Sequence, residues 1–336
     1  MKIKNPIILW LLSGFFLVYI MVLVGGITRL TGSGLSMADW NPIMGALPPL
    51  NNTEWLDKFE LYKKTPEYIK INNDFDLSDF KSIFWWEFIH RNLGRLIGLV
   101  FIVPFLFFWI KKKLDKQLLK KLFFLFFLGA FQGVLGWYMV YSGLIDKPYV
   151  SHLRLAAHFI NALAVLSFIL WIILDLTNTR TKNSNTTLKR LGLAIITILT
   201  VQLTYGAFTA GLDAGHGQNS ISSLFNLPNT FQHIIDHPFT VVFIHKYIGV
   251  FILICSIILK LCAKKITKEK QQIRAINIFL SSVVIQYVLG ALTLIYSVPI
   301  ELGILHQAGA VLVLSATIYL IHTSYGYEII KSNTHN

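Results

Sequence analysis

Apolar positions along this chain gather in blocks. A search for runs of ~20 apolar residues, the length that crosses a bilayer as a helix, finds eight candidates: roughly 8–29, 85–110, 119–142, 151–176, 188–210, 239–262, 274–297 and 301–324. Each is expected to be helical, because lipid leaves no backbone group unpaired. Between the first two runs lies a long polar stretch, about 30–84, with Gly and Pro turns but no strand pattern. A connection this long reads as a functional cover over the membrane surface.

Composition agrees with the pattern. Of 336 residues, 54% are hydrophobic and 14% charged, too much apolar surface for an ordinary soluble globule. The net charge of +13 raises the question of nucleic acid, but the placement of the charges answers against it. Lys2, Lys4, Lys111, Lys112, Lys113, Lys116, Lys120, Lys121, Arg180, Lys182, Lys189, Arg190, Lys260, Lys264, Lys265, Lys268, Lys270 and Arg274 fall in alternate connections. The positive-inside rule puts those connections, and both termini, in the cytoplasm. The first run has a basic start like a signal sequence, yet it is long and lacks a convincing cleavage site, so it reads as retained. Cys255 and Cys262 both sit in the sixth run, and the outer connections contain no cysteine, which leaves no disulfide framework.

The two halves repeat. Gly25-Gly-Ile-Thr28 with Gly34 aligns on Gly206-Ala-Phe-Thr209 with Gly215, and Phe88-Ile89-His90 through Gly94 aligns on Phe243-Ile244-His245 through Gly249. Gln132 through Gly136 aligns on Gln286 through Gly290, and His158 falls where His306 falls. Four matches in one order indicate duplication of a four-helix unit. The expected architecture is an all-α polytopic membrane protein of eight transmembrane helices. They form two tandem four-helix bundles, residues 1–180 and 181–336, related by a pseudo-two-fold axis along the membrane normal.

The chemistry sits in the repeat. The segment Trp86-Glu87-Phe88-Ile89-His90-Arg91-Asn92-Leu93-Gly94-Arg95 opens an apolar run with an acid, an imidazole and two guanidinium groups. Ionisable groups at membrane depth call for a partner or cofactor. Each half has one histidine near the start of its second helix, His90 or His245, and one near the start of its fourth, His158 or His306. Two opposed histidines without a third strong ligand suit iron held in a porphyrin, whereas zinc wants three or four protein ligands. A lone intramembrane histidine is commonly a helix-to-helix hydrogen bonder; four at repeat-equivalent positions point instead to a haem pair. His152 and His322 lack such counterparts and read as interface residues, and His216, His233 and His237 as loop residues. The glycines at 94, 98, 249, 290 and 309 read as close-packing positions, and the aromatic runs at 84–86 and 123–127 as lipid-facing or interfacial.

The halves also differ. Glu87 is replaced by Val242, Arg29 by Ala210 and Arg154 by Leu302. The second half therefore reads as a settled bis-histidine site and the first as one where charge changes during a reaction. Arg29, Arg91, Arg95 and Arg154 are candidates to pair with porphyrin propionates. The plainer account of Glu87 is an ion pair with one of these arginines.

At these residues the chain resembles a family. Glu87-x-x-His90-Arg91, the run from Gly25 to Ser36 with Trp40-x-Pro42 and Pro48-Pro49, Leu155-Ala-x-His158, and the segment Gly206 to Gly215 are together similar to the haem A synthases, over nearly all eight runs. The resemblance implies oxidation of a methyl group on haem O to the formyl group of haem A by successive hydroxylations, serving assembly of an aa3-type terminal oxidase. It implies that His245 and His306 ligate a resident haem b, that His90 and His158 hold the iron of the substrate haem O, and that Glu87 is the reactive carboxylate. Glu87 would stabilise developing positive charge or take a proton. Without cysteines in its first outer loop, the chain resembles the branch found in proteobacteria and mitochondria; the loop around Asn219 to Asn229 is only loosely similar.

The implied setting is the bacterial inner membrane, with haem O synthase and terminal oxidase assembly factors as partners, a possible homo-oligomer, and no nucleic acid. The competing reading is a dihaem b-type quinol oxidoreductase that transfers electrons only. It is disfavoured because all four histidines are expected at one depth, where such proteins stagger their haems. A repeat-built transporter lacks the expected pair of broken helices.

Overall fold

A computed structural model describes residues 5–39, 44–145, 148–177, 181, 183–216 and 231–326. Trp40 and Pro42, Lys2, Lys4, Arg180, Lys182 and the segment Asn219–Asn229 lie outside the described residues. The helices are α1 (Pro6–Leu30), α2 (Asn52–Tyr62), α3 (Pro66–Lys70), α4 (Leu77–Ile110), α5 (Lys116–Ile145), α6 (His152–Leu176), α7 (Thr186–Gly211), α8 (Phe231–Asp236), α9 (Pro238–Ile266), α10 (Lys270–Ile295) and α11 (Ile300–Ser324). Eight of them, all but α2, α3 and α8, are long and apolar enough to cross a membrane. They coincide with the eight apolar runs.

Helix starts follow local chemistry. Asn5, Asn51, Thr65, Asp76 and Asn185 each accept a first-turn N–H at the N-cap, and Asp76 with Asp79 forms a reciprocal capping box. That box starts α4 eight residues before its apolar run, because capping and aromatic packing, rather than lipid, decide its beginning.

The connection read as loop from 30 to 84 is in large part helical. Besides α2, α3 and the first turns of α4, it contains a short 3-10 turn at Met44–Ala46. These pieces make an outer cap with its own core of Met37, Trp55, Phe59, Tyr62, Phe80, Ile83, Phe84 and Phe88. Phe84 is thus buried in the cap, with its ring 4.9 Å from Trp55, and does not face lipid. Phe124, Phe126 and Phe127 are exposed on α5, as expected of lipid-facing residues.

Equivalent helices pack in equivalent pairs. α1 lies on α4 as α7 lies on α9; α5 lies on α6 as α10 lies on α11; α6 meets α7 as α11 meets α1. One pair differs. α9 and α10 pack along each other, whereas α4 and α5 touch over a short stretch only.

Where a helix breaks its own hydrogen-bond ladder, a neighbour completes it. Pro104 has no N–H to give the Val100 carbonyl one turn earlier. The buried indole of Trp10, on α1, donates to that oxygen at 2.7 Å. Trp10→Phe keeps most of the packing and strands the carbonyl, so a loss of about 1–3 kcal/mol is expected. Thermal unfolding in detergent would register it as a lowered Tm; an unchanged Tm would mean water or a neighbour already serves that oxygen.

Candidate functional site

The second-half pair is the simpler. Pro238 at N1 starts α9, and two turns later His245 points inward, its Nδ1 3.1 Å from the Gln202 carbonyl oxygen on α7. An N–H at Nδ1 donating to that oxygen leaves the Nε2 lone pair for a metal. The rings of His245 and His306 lie 6.2 Å apart, with their planes at 89°. Two metal–imidazole bonds of about 2 Å each, with half a ring on either side, bring opposed imidazoles to a centroid separation of about 6 Å. The pair therefore fits two axial ligands of one ion. Among the described residues, no group of three or more His, Cys, Asp or Glu gathers as a metal site.

Glycine makes room for each ring. A Cβ on Gly206 would sit 2.9 Å from His245 Cε1, and one on Gly290 2.7 Å from His306 Cε1. The first half repeats the device, with a Cβ on Gly25 falling 3.3 Å from His90 Nε2 and one on Gly136 3.0 Å from His158 Cε1. His90 and His158 are within electrostatic reach of each other. His158 Nδ1 is buried without a hydrogen-bond partner among the described residues, while its Nε2 lies 3.2 Å from Gln132 Nε2.

Glu87 is where the halves diverge most. It is buried, with all four acceptor positions of its carboxylate taken. Oε1 receives Arg91 Nε at 3.0 Å and Nη2 at 2.5 Å, while Oε2 receives Ser36 Oγ at 2.7 Å and the Met37 N–H at 2.8 Å. Arg91 also donates to the carbonyls of Met37 and Asp39. This ion pair ties the chain after α1 down onto α4 and holds the cap over the first half. Removing one partner of a buried pair costs about 3–5 kcal/mol, since the other charge is left bare.

The remaining arginines have their own partners. Arg29 pairs with Asp213 Oδ2 at 2.9 Å and donates to the Gly211 carbonyl, joining the end of α1 to the second half. Asp213 presents its carboxylate from a left-handed turn (φ 50°), which Asp tolerates better than most residues. Arg95 donates to Asn92 Oδ1, and Arg154 donates to the Tyr138 carbonyl while lying over that tyrosine's ring.

Two histidines read as interface residues are so placed. Buried His322 meets Asp175 at 2.9 Å, which also receives Lys121, and His152 Nε2 lies 3.0 Å from Asp236 Oδ1. His216 closes a 3-10 turn, His233 lies in α8, and His237 is the N-cap of α9. Gly249, Gly290 and Gly309 are close-packing positions, whereas a Cβ on Gly94 would make only ordinary contact with Met21 at 3.5 Å. Gly98 is not a close-packing position either, because a Cβ there would meet nothing within 4 Å. The glutamines Gln132 and Gln286, which touch His158 and His306, were visible only as repeat matches. That recurrence beside a histidine was the signal available for them.

The class is thus an eight-helix membrane protein with two half-buried, glycine-backed histidine pairs, one of them beside a clamped carboxylate. Its relatives give the class a family. The profile of the family described as "Cytochrome oxidase assembly protein" matches residues 8–318. The protein called "Heme A synthase" from Flavobacterium psychrophilum is 45% identical over 335 residues, covering 96% of this chain and 99% of that one. Proteins of the same name from Nitrosospira multiformis (39% identical, 95% and 94% covered) and Ehrlichia ruminantium strain Gardel (40%, 94% and 92%) are similar along nearly their whole length. The chain belongs to this cytochrome oxidase assembly protein family, and it is similar along nearly its whole length to proteins called heme A synthase.

The cap carries a titratable group of its own. Glu67 is buried and accepts from Tyr62 Oη at 3.1 Å, and Tyr62 Oη accepts from Asn72 at 2.8 Å. Burial pushes the Glu67 carboxyl up to about 7, and the Glu87 charge adds to the rise against the opposing Tyr62 hydrogen bond. Because the folded value lies above the unfolded one, its contribution to stability is complete below the ordinary carboxylate value and is lost as pH rises through about 7. The cap over residues 52–72 is therefore expected to resist proteolysis better at pH 5.5 than at pH 8. Glu67→Gln is expected to flatten that difference; a wild-type cap equally resistant at both pH values would contradict the assignment.

Proposed function

We propose that the chain carries the activity for which its relatives are named: it is a haem A synthase that oxidises a methyl group of haem O to the formyl group of haem A by successive hydroxylations. The single observation that carries this reading is the repeated, glycine-backed histidine pair with a carboxylate beside only one copy. A pure electron carrier has no need for that asymmetry.

In this reading residues 181–336 are the resident half and residues 1–180 the reacting half, and the matched helix pairings support treating each as a four-helix unit. His245 and His306 would hold haem b. When bound, that haem supplies a one-electron relay beside the reacting site. His90 and His158 would hold the substrate's iron and set the depth and tilt of the macrocycle, while contacts to its propionates would decide which edge faces Glu87.

Glu87 acts as a fixed negative charge. Its four acceptor positions are all in use, so taking a proton would first break a contact to Arg91, Ser36 or Met37. A fixed charge stabilises positive charge developing at the methyl carbon without reorganising. The cap that Glu87 and Arg91 clamp keeps bulk water from the outer mouth. Arg29, Arg91, Arg95 and Arg154 remain the candidates for the propionates, and each already makes hydrogen bonds within the chain.

Haem O carries a prenyl tail and resides in lipid, so entry from the side is the direct route. The short contact between α4 and α5 supports it, as do Gly98, Gly129 and Gly133, where a Cβ would meet nothing within 4 Å. The basic connections favour cytoplasmic termini in a bacterial inner membrane, with haem O synthase upstream and oxidase assembly factors downstream.

Glu87→Gln is expected to keep the fold and the second-half haem but to stop haem A formation, whereas His245→Ala or His306→Ala is expected to lose the resident haem. Pigments extracted from purified protein and separated by chromatography decide both. Full haem A yield from Glu87→Gln would refute the role of Glu87, and an unchanged haem b content in both histidine variants would refute the resident site.

A further inference from the structure

Beside each fourth-helix histidine stands a glutamine, and the two halves hold it differently. Gln132 on α5 and Gln286 on α10 each sit four residues before the glycine that backs the ring, so one helix face presents both amide and bare backbone. Each amide nitrogen reaches the histidine twice. Gln132 Nε2 donates to the His158 carbonyl at 3.1 Å and lies 3.2 Å from its ring Nε2. Gln286 Nε2 donates to the His306 carbonyl at 2.9 Å and lies 3.1 Å from its ring Nδ1. An amide that grips both the main chain and the ring of one residue fixes that ring's direction.

The difference lies on the amide's other side. In the first half Asn161 Nδ2 donates to Gln132 Oε1 at 2.8 Å, so the amide cannot turn. The equivalent position in the second half is Gly309, where a Cβ would fall 2.1 Å from Gln286 Oε1. That oxygen is buried and has no hydrogen-bond partner among the described residues. A buried amide oxygen left bare is costly and calls for a donor.

We propose that Gln132 and Gln286 are positioning residues for His158 and His306, and that the exchange of Asn161 for Gly309 sets the two histidines to different ligand strengths. The inference rests on reading the second half as the resident haem site. A histidine that ligates through Nε2 carries its proton on Nδ1 and needs an acceptor there. In the second half, the space at Gly309 lets the Gln286 amide pivot, so that its bare oxygen takes the Nδ1–H of His306. The His306 carbonyl keeps its place in the helical ladder. An acceptor at Nδ1 makes the imidazole more basic and the metal bond firmer. In the first half Asn161 holds Gln132 as a donor to the ring, which draws electron density from His158 and competes with the metal for it. His158 becomes a ligand that a substrate can gain and release.

The experiment is a spectroelectrochemical titration of the resident haem in the full-length purified chain, with low-spin EPR as a second readout. Gln286→Leu removes the acceptor and is expected to raise the midpoint potential. Gln286→Glu strengthens the acceptor and is expected to lower it. Asn161→Gly, in the other half, is expected to leave it unmoved. Shifts of opposite sign at position 286 are beyond a merely structural role. If the Leu variant fails to fold, the Glu variant decides alone: a lowered potential supports the proposal, and an unchanged or raised one overturns it. A wild-type chain with no pigment answering to His245 and His306 would overturn both this and the proposed function. A bound haem whose potential ignores position 286 would overturn this inference alone.

Discussion

Inside a bundle faced by hydrocarbon, a polar side chain persists only where another group meets it, since lipid offers no hydrogen bonds. The whole interior obeys this constraint. Trp10 completes the carbonyl that Pro104 strands, Arg91 and two loop donors fill the carboxylate of Glu87, and Asp175 meets both His322 and Lys121. Among the described residues four buried polar atoms lack a hydrogen-bond partner: His152 Nε2, which faces Asp236 at 3.0 Å, and His158 Nδ1, Gln202 Oε1 and Gln286 Oε1, which lie on or beside the paired histidines.

Glycine is the means by which the rings are admitted. An imidazole lying flat against a helix needs the space of a Cβ, and each of the four histidines has that space on a neighbouring helix. Room is made equally in both halves, but charge is not. Glu87, one turn before His90, and Arg91, directly after it, anchor the cap, so the residues that hold the cap down flank the first-half histidine. Val242, which is apolar, takes the place of the acid in the second half.

Much of this was legible along the chain. Eight spans, their helical nature, the repeat, the four histidines and the lone Glu87 all follow from apolar run length and from recurrence at fixed spacing. Those are local properties, and lipid enforces them without reference to neighbours. The cap was missed because α2 and α3 are short and α4 starts on a capping box well before its apolar run. Their helicity depends on burying Trp55, Phe59 and Tyr62 against Phe80 and Phe84. Gly98 was misread for a related reason: a glycine's sequence position does not say whether anything approaches it.

The sequence by itself determined that eight helices are long and apolar enough to cross a membrane, that motifs recur in the same order in both halves, and which residue types can bind metal or carry charge. Tertiary structure alone decided the pairings. It brought Ser36 and the Met37 N–H to Glu87, set the rings of His245 and His306 6.2 Å apart, gave Arg29 to Asp213, and left the Gln286 oxygen without a partner among the described residues where Asn161 holds Gln132. The physical reason is that these contacts join residues dozens to nearly two hundred positions apart. Their distances are set by how helices pack, which no run of sequence records.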